Sequence, residues 1–206
     1  MKRKYPRTYH FPFSPGATSD DKIHKTIVFL QDKEIIITEK MDGESCTMMN
    51  DIIYARSVDS ADHPSRHWVK GLWGQIKHDI PVGWKICGEN LYASHSIHYK
   101  DLPSYFLVFS VWDENDFCLS WDDTITICKY LSLQTVPVLW RGIYDENFVE
   151  EFKMETENHE GFVVRLASGF PFKDFNNSVI KWVRKGHVTT GEHWMYKKII
   201  PNELKS

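Results

Sequence analysis

The chain has 206 residues, 42% of them apolar, with 8 Trp, 12 Phe and 9 Tyr, enough for a core without disulfides or a structural metal. A formal net charge of −3 excludes a protein that coats nucleic acid through bulk electrostatics. No apolar run is long enough to span a bilayer, and Met1-Lys2-Arg3-Lys4 lacks the apolar stretch of an export signal, so the reading is a cytoplasmic protein that avoids membranes.

Residues 14–21, rich in Ser, Pro, Gly, Thr and Asp, read as turns followed by a helix cap. β-Branched and aromatic runs then predict strands over 34–40, 45–49 and 52–56. A helix follows over 64–78, where Trp68, Leu72 and Ile76 recur at a helical spacing. Strands over 84–91 and 105–112 come next, then a helix over 121–133 with Ile125, Cys128 and Leu131 on one stripe, and a third helix over 145–153. The last strands are 161–166 and 179–184. Strands outnumber helices and occur in neighbouring groups, which gives an α+β fold of mostly antiparallel sheets flanked by helices. No repeat, linker or low-complexity tract divides the chain, so residues 1–206 read as one domain.

Several chemistries are disfavoured. There is neither a G-x-x-x-x-G-K-[ST] loop nor a G-x-G-x-x-G turn after a strand. The cysteines at 46, 87, 118 and 128 form no C-x-x-C pair, and Cys46 and Cys87 fall on strands as core residues. His95-x-x-His98 lacks a third metal ligand at suitable spacing. Two basic patches remain: Lys2, Arg3, Lys4 and Arg7, and Lys181, Arg184, Lys185 and His187. Each reads either as a local grip on an anionic strand end or as solvated charge.

The strand Glu34-Ile35-Ile36-Ile37-Thr38-Glu39 runs into Lys40-Met41-Asp42-Gly43, which places an amine at a strand end, with Gly43 free to let backbone approach a phosphate or metal. Lysine attacks phosphorus only as the neutral amine, roughly one molecule in a few thousand at pH 7, and lowering its pKa by about three units takes around 4 kcal/mol. Nearby cations could supply that bias, and Lys181 and Arg184 are the candidates. Downstream, in order, stand Arg56-Ser57, Cys87-Gly88-Glu89-Asn90, Phe106-Leu107-Val108-Phe109, Glu160-Gly161-Phe162-Val163-Val164-Arg165 and Val179-Ile180-Lys181-Trp182-Val183-Arg184. This ordered set resembles the nucleotidyltransferase motifs of covalent ligases and capping enzymes, and is most similar to ATP-dependent RNA ligases, over Glu39 to about Trp194.

The resemblance implies an ATP-grasp-like nucleotidyltransferase fold and a three-step reaction: AMP is attached to Lys40, passed to an RNA 5′-phosphate, and expelled when a 3′-hydroxyl attacks. It implies ATP with magnesium or manganese as cofactors and RNA ends as partners. Catalytic roles fall to Lys40, Asp42 and Lys181. Nucleotide contacts fall to Glu39 at the adenine amino group, Arg56, Glu89 at the ribose, Phe109 and Val163 on the two faces of the base, Lys181 and Arg184. Glu160 is the metal ligand. Two positions depart from the pattern: Ser110 stands where many relatives have an acid, and Lys181-Trp182-Val183-Arg184 replaces a Lys-x-Lys pair, so alternation could aim Arg184 at the opposite face. Neither the residues before Glu39 nor Lys185 to Ser206 make an OB domain. RNA would then be held by the chain alone, by its basic patches, by a substrate-presenting protein, or by His187 and Trp194 stacking on a base. A GTP-dependent guanylyltransferase and an inactive nucleotide- or RNA-binding module are the alternatives.

Overall fold

The computed structural model describes residues 2–58, 62–152, 154, 157–186 and 199–205, so the RNA contacts expected of His187 and Trp194 lie outside the described residues. Two sheets face each other. The first runs β1 (Tyr9–His10), β12 (Val179–Val183), β10 (Gly161–Leu166), β2 (Glu34–Lys40), β9 (Val138–Ile143), antiparallel apart from the β1/β12 pair. The second runs β11 (Phe170–Pro171), β7 (Phe117–Cys118), β6 (Phe106–Trp112), β5 (Lys85–Asn90), β3 (Glu44–Met48), β4 (Ile53–Ala55), with β8 (Gln134–Thr135) parallel to β6. Among the described residues three α-helices complete it: α1 (His67–Ile76), led in by a 3-10 turn at Pro64–Arg66, α2 (Trp121–Tyr130) and α3 (Glu146–Glu151). The architecture is the α+β arrangement of mostly antiparallel strands that the sequence predicts.

Apolar side chains form three layers. Ile35 and Ile37 of β2 join Phe11, Phe162, Val164 and Ile180 on the outer face of the first sheet. Ile36 points the other way, into the space between the sheets, with Leu91, Leu107 and Trp121. The second sheet's outer face, with Met48, Ile86, Phe106 and Val108, packs on Val69 of α1 and Cys128 of α2. A continuous apolar run therefore suits β2, which is buried on both faces; each fully buried isoleucine is worth about 2 kcal/mol over exposure.

Two local expectations are corrected. Residues 14–21 cap no helix: the Asp21 carboxylate accepts from the Thr18 amide (3.1 Å) and hydroxyl (3.0 Å), closing a turn, and only a short 3-10 turn at Val28–Leu30 precedes β2. β9 was not anticipated, because Gly142 interrupts it and Val138-Leu139-Trp140 does not alternate; a bulge in its pairing with β2, beside Ile37 and Thr38, accounts for the broken pattern.

Candidate active site

A cleft of about 710 Å3 opens between the sheets. Strand register delivers its first wall. Thr38, Val163 and Lys181 stand level on β2, β10 and β12, and Lys40 stands opposite Gly161 one step further along, so Thr38, Lys40, Val163 and Lys181 share one face. Glu160, immediately before β10, is carried to the lysine end by the same register, and its carboxylate lies 2.5 Å from Lys40 Nζ. Gly161 is required for the close pairing of β10 with β12, since a Cβ there would sit 2.1 Å from the Trp182 carbonyl oxygen.

The opposite wall comes from β3, β5 and β6, with Ser45, Glu89, Phe109 and Ser110 on the cleft. Phe109 owes its position to a bulge: Cys87 pairs with Ser110 and Gly88 with Val108, leaving Phe109 as the extra residue. A bulge re-aims a side chain, and the carbonyl it frees accepts a hydrogen bond from Arg165 Nη1 at 3.3 Å. Phe109 and Val163 meet in one apolar cluster between the sheets, together with Tyr5 from the N-terminal segment.

In the ligand-free site the carboxylates around Lys40 outweigh its cationic neighbours. Burial alone would push the Lys40 amine down, but Glu160 and then Glu89 outweigh it and hold the amine above the ordinary lysine range. The proposed lowering by Lys181 and Arg184 does not prevail; Lys181 is the lysine held low, first by burial and then by the charge of Lys40. Glu89 is pushed up to about 8, by burial first and then, against the opposing pull of Lys40, by the nearby carboxylates Glu160 and Asp42.

Of the residues picked out by sequence, Glu39, Lys40, Arg56, Glu89, Phe109, Val163 and Lys181 border the cleft. Glu39 does so with its carboxylate engaged: it is out of phase with Lys40, level with Phe162, and hydrogen-bonded to His159 Nδ1 at 2.8 Å. Asp42 is turned away. Its Oδ2 accepts from Ser96 N (2.7 Å), Ser96 Oγ (2.6 Å) and Ile97 N (2.9 Å), which makes it a brace for that loop and not a group facing the cleft. Arg184 does not line the cleft either; its amide donates to the Glu160 carbonyl at 3.0 Å, so it positions Glu160 through backbone. Gly43 is small for a packing reason, because a Cβ would meet the Asn90 carbonyl at 2.5 Å and Leu91 at 2.8 Å.

Of the N-terminal basic patch, Lys4 and Arg7 border the cleft while Arg3 pairs with Asp116; sequence reading did not foresee that Tyr5, Pro6 and Thr8 would join them there. It weighed His95 only as half of a metal pair; the half-buried ring lies within electrostatic reach of Asp42, Glu44, Glu160 and Lys40 and is held below the ordinary histidine value mainly by its partial burial. Its neighbour His98 instead meets Glu203 at 3.0 Å.

The RNA ligase family model matches residues 33–183. Among solved structures, an archaeal ATP-dependent RNA ligase (form 2) aligns with a TM-score of 0.59 at 15% identity, over 88% of this chain and 48% of that one. Naegleria gruberi RNA ligase with PPi aligns at 0.56 and 16% identity, over 89% and 61%. A putative ATP-dependent DNA ligase from Aquifex aeolicus aligns at 0.55 and 18% identity, over 88% and 50%. At these identities the likeness is one of fold, and the chain spans roughly half to six-tenths of each of these structures. No curated protein matches. The family match runs from the residue before β2 to the end of β12, and the chain belongs to the RNA ligase family.

Proposed function

We propose that the chain is an ATP-dependent RNA ligase, joining a 5′-phosphate to a 3′-hydroxyl through a Lys40–AMP intermediate. The observation that carries this reading is one lysine on a cleft between the sheets, with a carboxylate on its amine and the apolar side chains of Phe109 and Val163 lining the same cleft. Such an apolar lining suits a flat base.

Lys40 Nζ, once deprotonated, attacks the α-phosphorus. The new N–P bond forms as the bond to pyrophosphate breaks. Lys181, on the same face of the sheet, stands where it can stabilise charge on the α-phosphate. Among the described residues no three His, Cys, Asp or Glu side chains form a metal cage. Glu160, with Glu89 nearby, fits a magnesium-type site instead, in which one or two carboxylates are completed by substrate phosphates and water. A cation held there would supply neutralisation of phosphate charge, and Glu160, by binding it, would be drawn from the Lys40 amine that it keeps protonated. AMP then passes to the RNA 5′-phosphate, and the 3′-hydroxyl displaces it.

The test is intact mass after incubation with ATP, magnesium and pyrophosphatase, with GTP in parallel. The expected result is a gain of one AMP in the wild type and none in Lys40→Ala. Label retained by Lys40→Ala, or a gain of GMP alone, overturns the reading. We place the protein in the cytoplasm, with RNA held by the chain alone, by its own basic patches or by a substrate-presenting protein; full-rate sealing by the purified chain alone argues against the last. Among the described residues no helix is long and apolar enough to cross a membrane.

A further inference from the structure

The family match begins at residue 33, yet the cleft also takes Lys4, Tyr5, Pro6, Arg7, Thr8 and Asp21 from before it. The segment is pinned on both sides of Arg7. Two residues before it, the Tyr5 ring packs edge-on against Phe109 (5.0 Å) and Phe175 (5.3 Å). The Tyr5 carbonyl also accepts from Arg56 Nε at 3.4 Å. Two residues after it, Tyr9 enters β1 and pairs with Ile180 of β12. Between these anchors Pro6 restricts the backbone further. Arg7 is therefore an exposed side chain on a fixed stretch of chain.

Its guanidinium is only partly engaged among the described residues. Of the five N–H donors of the guanidinium, one donates to the Asp20 carbonyl, at 2.7 Å, and no carboxylate pairs with Arg7 among the described residues. Arg56, on the same cleft, likewise has no ion pair there; after burial the charge of Arg7 is what most disfavours its own, with the Glu89 carboxylate a smaller opposing pull. Lys4, also on the cleft, makes no hydrogen bond or ion pair among the described residues. By contrast Arg66 is paired with Glu44, and Lys40 with Glu160. Two guanidinium groups and an ammonium on one cleft, none of them in an ion pair among the described residues, form a surface that an anion relieves, and a guanidinium fork matches phosphate geometry.

We propose that the N-terminal segment supplies a phosphate subsite at the mouth of the cleft, with Arg7 as its main ligand, joined by Arg56 and Lys4. The inference rests on the nucleotidyltransferase reading for its biological ligand. Two sources offer the same chemistry: the outer phosphates of the nucleotide, which leave as pyrophosphate, and the 5′-phosphate of the RNA.

The experiment is equilibrium binding to the full chain, with no turnover required, using inorganic pyrophosphate, a 5′-phosphorylated oligoribonucleotide and its 5′-hydroxyl twin. Arg7→Ala is expected to weaken one phosphate probe about tenfold or more, as loss of a charge-assisted hydrogen bond implies, and to leave the 5′-hydroxyl RNA unchanged. Arg7→Lys should recover part of the loss. A loss on pyrophosphate assigns the subsite to the nucleotide, and a loss on the phosphorylated RNA assigns it to the strand end. Should Arg7→Ala melt early through loss of the Asp20 contact, Lys4→Ala carries the test with a smaller loss and an unchanged melting temperature. Equal binding of both phosphate probes by wild type and variants overturns the inference, as does a loss that is the same for the 5′-hydroxyl RNA. A wild type that takes no AMP yet binds phosphate through Arg7 overturns the ligase reading and keeps the subsite.

Discussion

Lys40, the proposed nucleophile, is held in the ligand-free site as an ammonium. The position of the lysine was legible in the sequence; its protonation was not, because the carboxylate that decides it lies 120 residues away and arrives through the pairing of Gly161 with Lys40. Removing that carboxylate should leave a buried amine with less to favour its charge. Glu160→Gln is therefore expected to make Lys40 react faster with an amine-acylating reagent at fixed pH, by about tenfold for each unit of pKa lost. Peptide mass mapping of the labelled protein measures this without any ligase activity, and an unchanged rate would show that Glu160 does not control the amine. Glu89 gives a second expectation. Its pKa rises on folding from about 4.5 to about 8, so between those values the native state binds a proton that the unfolded chain has released. Stability on its account is present at low pH and lost as pH rises through that window. Melting temperatures at pH 5 and pH 8 should thus differ more in the wild type than in Glu89→Gln; equal differences would remove Glu89 as the source.

Strands act here as delivery devices, and most of them could be read from the chain. β2 and β10 have the limits that the sequence predicts, and β12 ends one residue early. What periodicity cannot show is register, and register is what makes the site. It sets Lys40 and Lys181 on one face and leaves Glu39 out of phase with them. The bulges at Phe109 and beside Thr38 were equally hidden, since each depends on a partner strand distant in sequence. Gly161 marks the tightest point of the delivery. Gly161→Ala forces a Cβ against the Trp182 carbonyl at 2.1 Å and must part β10 from β12. The expected cost is about 2–4 kcal/mol, seen as a lower urea midpoint with an unchanged slope. Gly74→Ala, in α1 where an added Cβ meets nothing within 4 Å, should instead stabilise by about 0.5–1 kcal/mol. A neutral Gly161→Ala would mean that the strands are looser than this packing.

Across the whole molecule, the cleft exists because two sheets are held face to face without closing on each other. The apolar layer between them does part of this, through Ile36, Leu107 and Trp121 on one side of the cleft and Val163, Trp112 and Phe170 on the other. Arg165 does the rest. It is only 3% exposed, has no carboxylate partner among the described residues, and reaches from β10 to the Phe109 carbonyl at 3.3 Å and the Leu119 carbonyl at 2.8 Å. Its guanidinium also lies over the rings of Trp121 and Phe170, at 5.4 and 5.6 Å. The sequence shows this residue only as the end of an apolar strand, where an arginine would ordinarily be taken for a surface charge; its satisfaction by carbonyls of the facing sheet appears only once the sheets are stacked. A buried cation tied to two sheets should be costly to remove. Arg165→Met leaves the Phe109 and Leu119 carbonyls without that donor, at an expected cost of about 2–4 kcal/mol. Arg165→Lys should recover little, because a single ammonium cannot reproduce a planar fork spanning both carbonyls. Urea unfolding of the three proteins measures the loss. AMP labelling of the two variants, under conditions where they remain folded, then separates a clamp from a scaffold: the Phe109 bulge is held by this bond, so nucleotide affinity should fall along with stability. A variant that is destabilised but labels with wild-type affinity would confine Arg165 to holding the sheets together.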